Sequence, residues 1–278
     1  MSPLGTQRRP LVAPLFVPAD RPERFDKADR SGADAVIVDL EDAVAPAAKD
    51  GARSNLRQVL DLHNPAYVRV NAADSSWHSE DIAALKALGL RRLCLPKAES
   101  PATLDAIVQS LGDDVEIIAL IETARGLEAA AALAGHSHVA TLAFGPADFA
   151  LDLGVAASEA LKAHAMMRLA IASRAADKAL PLDGPSFEVT DTARLTLECR
   201  QALDHGAGGK LCIHPAQTAH VIAAFRPSAE QLRWAQRVVD AAQDGAARLV
   251  DGRMIDAPII AQARALLLKG HSQSSEGV

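Results

Sequence analysis

Acidic residues and one arginine recur at the same kind of place in this chain, just after short apolar runs. Asp39-Leu40-Glu41-Asp42 follows one run and Arg69-Val70-Asn71 the next, then come Lys97, Glu122-Thr123, Asp148, Asp183 and His214. Glu122 and Asp148 follow neighbouring runs. Two carboxylates at one mouth can share a divalent cation and leave positions open for substrate and water, and all-oxygen ligation suits Mg²⁺ or Mn²⁺. The competing reading makes each a local cap or ion-pair partner. Arg69 offers a planar guanidinium that clamps a carboxylate or stabilises a developing enolate oxygen. Otherwise it closes the rim by pairing with Asp39 or Glu41. Asp39 and Glu41 alternate with Leu40 and share one strand face, from which they support metal-bound waters or Arg69. Lys97 has the chemistry of a Schiff-base nucleophile, although a lysine beside several carboxylates is more commonly an ion-pair partner.

The elements that must position these groups are legible as apolar runs at 11–17, 34–40, 66–70, 92–95, 116–121, 139–144, 179–183 and 210–213. Each has the length of a buried parallel strand. Helix signals lie between them. Asp20-Arg21-Pro22-Glu23 reads as an N-cap with an early proline. Ser100-Pro101 opens a helix that Gly112 ends, and further helices are expected over 126–134, 158–179 and 190–203. Eight such units in roughly 225 residues predict an α/β fold of the (β/α)8 TIM barrel type, with charges gathered at the C-terminal strand ends. An open doubly wound sheet is the alternative, but no Gly-rich first turn supports it. Gly206-Ala207-Gly208-Gly209-Lys210 fails the phosphate-loop spacing and precedes a strand. The pattern changes after residue 227. Residues 1–227 are read as the catalytic barrel and 228–278 as a C-terminal helical lid extension. The extension has a capping box at Ser228-Ala229-Glu230-Gln231, a polar loop over 243–253, a last helix over 258–269 and a disordered tail.

Composition narrows the function classes. The chain of 278 residues is 49% apolar and 23% charged, which excludes general disorder. Lys and Arg number 29 against 35 Asp and Glu, a net charge of −6, and aromatics are 3%. That balance speaks against nucleic-acid binding. Cys94, Cys199 and Cys212 form no C-x-x-C and are expected to be reduced and buried. No apolar segment is long enough to span a bilayer and no secretory leader is evident, so the expectation is a cytoplasmic protein without membrane partners.

The segments Leu15-Phe16-Val17-Pro18-Ala19-Asp20-Arg21-Pro22, Asp39-Leu40-Glu41-Asp42-Ala43-Val44, Arg69-Val70-Asn71 and Leu95-Pro96-Lys97 resemble the HpcH/HpaI aldolase and citrate lyase superfamily. So do Ile121-Glu122-Thr123-Ala124-Arg125-Gly126, Phe144-Gly145-Pro146-Ala147-Asp148, Asp152-Leu153-Gly154 and Cys212-Ile213-His214-Pro215-Ala216-Gln217. The branch most similar is that of citrate lyase beta subunit-like proteins, and the resemblance runs from about residue 11 to 268. It implies a TIM barrel, a Mg²⁺ ion and C–C cleavage or formation on an acyl-CoA or acyl-carrier thioester such as malyl-CoA, citramalyl-CoA or citryl-CoA. It also implies a 2-oxo acid partner (glyoxylate, pyruvate or oxaloacetate) and a homotrimer or dimer of trimers.

Residue by residue, the resemblance makes Glu122 and Asp148 metal ligands, with Glu122 also facing substrate. It makes Arg69 the contact of the reacting carbonyl. Gly252-Arg253-Met254-Ile255-Asp256 resembles the Met-Ile-Asp motif of malyl-CoA and citramalyl-CoA lyases, whose aspartate is an acid/base reaching a neighbouring subunit. Ala19 stands where many relatives have Gly and is strained if that position needs a positive φ. Three alternatives stay open: a malate synthase-like condensation followed by thioester hydrolysis, a Schiff-base aldolase using Lys97, and a non-catalytic subunit that binds an acyl carrier or CoA.

Overall fold

A computed structural model describes residues 10–242, 248–250 and 253–271. Eight strands pair side by side in chain order: β1 (Leu15–Pro18), β2 (Val36–Asp39), β3 (Ala66–Arg69), β4 (Arg92–Leu95), β5 (Glu116–Ile121), β6 (Val139–Phe144), β7 (Leu182–Asp183) and β8 (Gly209–Lys210). Every pairing is parallel. A parallel bridge between Leu15 and Cys212 joins the last strand region to the first. There the Phe16 N–H donates to the Cys212 carbonyl at 2.8 Å. Parallel neighbours need crossovers, and helices supply them. The result is the (β/α)8 barrel that the eight runs predict.

Period-2 alternation sets what faces the barrel axis. Ala35, Ile37, Tyr67, Cys94, Ile118, Leu120, Ala143, Leu182 and Leu211 form one buried cluster drawn from seven strand regions. One step up the same inward faces stand Asp39 above Ile37, Arg69 above Tyr67 and Glu122 above Leu120. Asp39 and Arg69 are direct cross-strand partners. The apolar interior therefore ends in a charged layer at the C-terminal rim.

Strand lengths depart from expectation at the closing seam. β7 has two residues where 179–183 was expected, because Pro181 has no N–H to give to a ladder. β8 sits one residue early, at Gly209. A Cβ on Gly209 would lie 2.4 Å from the Val12 carbonyl oxygen, so only glycine allows that approach. Near the N-terminus, Asp20 does not cap. A short 3₁₀ turn, Pro22–Arg24, begins after Arg21 with no side-chain cap. The 126–134 helix is two pieces, Ala124–Glu128 and Ala130–Gly135. Helix Pro101–Leu111 starts as expected, with Ser100 Oγ accepting the Ala102 N–H and Gly112 at its end. Ala19 is not among the positive-φ residues, so its expected strain is absent. All three cysteines are free and buried.

The chain divides into two compact units, Met1–Ile222 and Ala223–Val278. In the second, helix Ala229–Ala241 carries the Ser228–Gln231 capping box and packs with helix Ala257–His271 around Ala235, Val238, Ile255 and Ala263. Part of the expected 243–253 loop is instead an antiparallel strand pair, β9 (Arg248–Val250) with β10 (Arg253–Ile255). Leu249, Val250, Met254 and Ile255 carry strand propensity that their polar neighbours obscure. Residues 243–247 and 251–252 of that loop and the tail beyond 271 lie outside the described residues. Among the described residues no helix is long and apolar enough to cross a membrane.

Candidate active site

A cavity of about 410 Å³ opens at the C-terminal end of the barrel. Buried Leu120, Phe144 and Leu211 form its floor, and Asp39, Arg69, Glu122 and Asp148 line it above them. Exposed Asp42, Ala43, Ala147 and Phe187 surround the mouth.

On the β2–β3 side every charge has partners. Arg69 donates through Nε to Asp39 Oδ1 at 2.7 Å and through Nη2 to Asp39 Oδ2 at 2.6 Å, a bidentate fork. Its Nη1 lies 2.9 Å from Glu41 Oε2, without hydrogen-bond alignment, and 3.5 Å from Asp42 Oδ2. The guanidinium lies 4.9 Å from the centre of the Phe16 ring. Burial works against its charge, but the charge and hydrogen bonds of Asp39 with the charge of Glu41 outweigh it and hold the guanidinium pKa above its ordinary value. Asp39 also accepts the Glu41 N–H at 2.8 Å and the Ala43 N–H at 3.2 Å, so the 39–43 loop wraps its carboxylate. Burial pushes the Glu41 carboxyl up to about 8, against the pull of Arg69. The expected pairing of Arg69 with Asp39 and Glu41 is thus present, while Arg69 still lines the cavity.

Sequence reasoning missed what holds that loop from below. Lys49, 4% exposed, donates to the Leu40 carbonyl (2.7 Å), the Glu41 carbonyl (2.9 Å) and Asn71 Oδ1 (2.7 Å). Asn71 donates in turn to buried Asp81, which Arg53 bonds from its other oxygen. A lysine at the start of a helix reads as surface, and nothing in its local pattern marks it as buried.

On the β5–β6 side the carboxylates have few partners. Glu122, 3% exposed, has one carboxylate oxygen held by the Lys97 N–H at 3.0 Å. Lys97 is in the left-handed region, φ 46°, which turns its N–H to that carboxylate while its side chain is exposed. The residue acts here through its backbone. Gly145 packs against the other face of Glu122: a Cβ there would lie 2.5 Å from Glu122 Cγ and 2.6 Å from Oε1. Only the glycine in Phe144-Gly145-Pro146 leaves room for the acid.

Asp148 stands in the first turn of helix Pro146–Leu153 and not at a strand end, because Pro146 starts the helix immediately after Gly145. Neither Glu122 nor Asp148 forms an ion pair among the described residues. Burial pushes the Glu122 carboxyl up to about 7; Arg69 draws it down and Asp148 pushes it further up. Two carboxylates, Glu122 buried and Asp148 half-buried, that lack a cationic contact among the described residues, with room around them, fit a small hard cation. Mg²⁺ commonly takes one or two carboxylates and keeps waters or substrate oxygens in its other positions. Among the described residues no cluster of three or more His, Cys, Asp or Glu is arranged for a metal, so this pair would leave open positions.

The other expected residues have partners of their own. Asp183 pairs with buried Lys210 at 2.6 Å. His214 accepts the Ala216 N–H at 3.2 Å at the start of helix Pro215–Phe225. Asp256 is exposed and caps helix Ala257–His271, its Oδ1 accepting the Ile259 N–H at 3.2 Å.

Residues 13–215 match the HpcH/HpaI aldolase/citrate lyase family. A citrate lyase subunit beta-like protein of Mycobacterium tuberculosis is 36% identical over 270 residues, covering 94% of this chain and 96% of that protein. A (3S)-malyl-CoA thioesterase of Cereibacter sphaeroides is 32% identical over 279 residues, covering 97% and 98%. A solved structure of M. tuberculosis CitE in complex with magnesium, acetoacetate and coenzyme A superposes with a TM-score of 0.83 at 34% identity, covering 94% of this chain and 98% of that one.

Proposed function

This chain belongs to the HpcH/HpaI aldolase/citrate lyase family, and from that premise we propose that it is a Mg²⁺-dependent carbon–carbon lyase. Its substrate would be a 3-hydroxyacyl thioester of the malyl-CoA, citramalyl-CoA or citryl-CoA class. The observation that carries the reading is the pairing, in one cavity, of two under-partnered carboxylates with a fully oriented arginine. The relatives support the substrate class and the metal, one being named for malyl-CoA and another solved with magnesium and coenzyme A.

In this reading Glu122 and Asp148 hold the metal. When bound, Mg²⁺ supplies Lewis acidity toward a chelating 2-oxo acid: glyoxylate, pyruvate or oxaloacetate. Arg69, steadied on Asp39, binds the thioester carbonyl oxygen. As the Asp256 carboxylate takes the hydroxyl proton and the C–C bond breaks, the bonding electrons collect on that oxygen as an enolate, and Arg69 stabilises the charge as it develops. Asp256 then protonates the enolate carbon. In this proposal Asp256 comes from a neighbouring subunit of a homotrimer or dimer of trimers, with the second unit as the lid. Glu41 and Lys97 support the first residues and do not touch substrate.

A second reading, condensation followed by thioester hydrolysis, is favoured by the thioesterase relative. The exposed Lys97 side chain gives no support to the Schiff-base alternative. A Mg²⁺-dependent screen of malyl-CoA, citramalyl-CoA and citryl-CoA separates these readings. Release of 2-oxo acid and acyl-CoA that EDTA stops is the expected result. Free CoA without a 2-oxo acid would instead mark the thioesterase. Turnover of none would favour a non-catalytic subunit.

A further inference from the structure

Phe187 lines the cavity, yet 73% of it is exposed. It lies on the connection after β7, and buried polar groups hold that connection still. Gln217, 1% exposed, donates through Nε2 to the Ser186 carbonyl at 2.8 Å and the Glu188 carbonyl at 3.1 Å, on either side of the phenylalanine. Its Oε1 accepts the Ile213 N–H at 2.9 Å and the His214 N–H at 3.2 Å. All four hydrogen-bonding positions of one side-chain amide are therefore used to tie the 186–188 backbone to the connection after β8. Lys210 adds a bond to the Gly184 carbonyl at 2.7 Å. Pro146 packs so closely on Gly184 that a Cβ there would lie 2.3 Å from its Cδ.

Single exposed apolar residues are ordinary on protein surfaces. What sets Phe187 apart is that a fully bonded buried amide brackets it at the mouth of a cavity with charged walls. A ring presented in a fixed place loses little freedom when a ligand lies on it. We propose that Phe187 is the apolar lip over which the pantetheine arm of the thioester leaves the cavity, and that it sets affinity for the carrier portion and not for the acid.

The inference rests on the thioester reading above. In that reading the charged, reacting end sits inside with Arg69, Glu122 and Asp148, so what crosses the mouth is the uncharged chain of methylenes and amides attached to sulfur. An aromatic face complements that chain. Coenzyme A and an acyl carrier protein present the same arm.

The test is calorimetric titration of the full-length protein, with Mg²⁺ present, by coenzyme A, by pantetheine and by pyruvate. Phe187→Ala is expected to weaken coenzyme A and pantetheine alike by about tenfold, and Phe187→Tyr to stay within about threefold of the wild type, with pyruvate binding unchanged in both. Coenzyme A affinity within about twofold of wild type in Phe187→Ala overturns the assignment. So does a loss for coenzyme A without one for pantetheine, which would place the ring on the nucleotide, or an equal loss for pyruvate, which would place it on the acid. If the wild-type protein binds neither coenzyme A nor pantetheine, the thioester reading falls and this assignment falls with it. An acyl carrier protein bearing the arm, titrated in parallel, distinguishes the two carriers.

Discussion

The two sides of the barrel mouth hold the same kinds of residue in opposite states. On the β2–β3 side Asp39 accepts four hydrogen bonds, two from Arg69 and two from the backbone of its own loop, and Lys49 fixes that loop from beneath. On the β5–β6 side Glu122 accepts one, from the Lys97 N–H, and Asp148 accepts none among the described residues. Asp39 and Glu122 are both buried. The first side is closed by a cation built into the chain; the second has none among the described residues, and in the proposed function a bound Mg²⁺ takes that place. The raised Glu122 pKa goes with that difference: burial disfavours the anion, and Arg69, which draws the pKa down, is itself paired with Asp39.

Removing the open side should have the largest effect. In Glu122→Gln, turnover of the thioester should fall below detection while circular dichroism and Tm stay near the wild type, because the residue sits above the core and not in it. Damage to the closed side should be graded. Arg69→Lys keeps the charge but loses the fork to Asp39, and kcat should drop by about 10²–10³, the cost of losing one oxyanion donor. Steady-state kinetics with KM and kcat measured separately checks this, and a drop under tenfold would move Arg69 to a purely structural role.

Asp256 lies in the second unit and tests whether that unit takes part at all. Asp256→Asn should lower kcat by about 10²-fold. Asn still caps a helix, so helix content should not change. Mixed oligomers of Asp256→Asn and Arg69→Ala chains should regain activity if the site is shared between subunits.

The smallest effect sharpens the comparison most finely. Gly145 has φ −108°, which alanine tolerates, so Gly145→Ala tests space alone. Its methyl group should push Glu122 aside and weaken Mg²⁺ binding by about tenfold, with a stability loss of about 1–3 kcal/mol. Neither change should reach the Arg69 side, and coenzyme A affinity reports whether it does.

Much of this was legible in the sequence. Apolar runs of strand length locate all eight strands, and period-2 alternation from Ile37 to Asp39, Tyr67 to Arg69 and Leu120 to Glu122 carries the charged layer with them. Motif resemblance adds Asp148, although its place on a helix turn depends on Gly145-Pro146. What local pattern does not reveal is long-range. Lys49 reads as a surface lysine until Leu40, Glu41 and Asn71 surround it. Lys97 invites attention for its amine, whereas its left-handed backbone is what reaches Glu122. Gly145 and Gln217 matter through atoms at strand ends brought close by barrel closure, which no window of sequence contains.

The central claim is that Glu122 and Asp148 form a cation site, and Mg²⁺ titration from pH 5 to 8 tests it most directly. Glu122 is charged above about 7 and protonated below it, and only the charged form is a ligand. The wild-type protein should therefore bind one Mg²⁺ per chain with proton release near neutrality, and affinity should fall by about tenfold per pH unit below 7. Glu122→Ala should abolish the binding at every pH. One-site Mg²⁺ binding of unchanged affinity in Glu122→Ala would contradict the account.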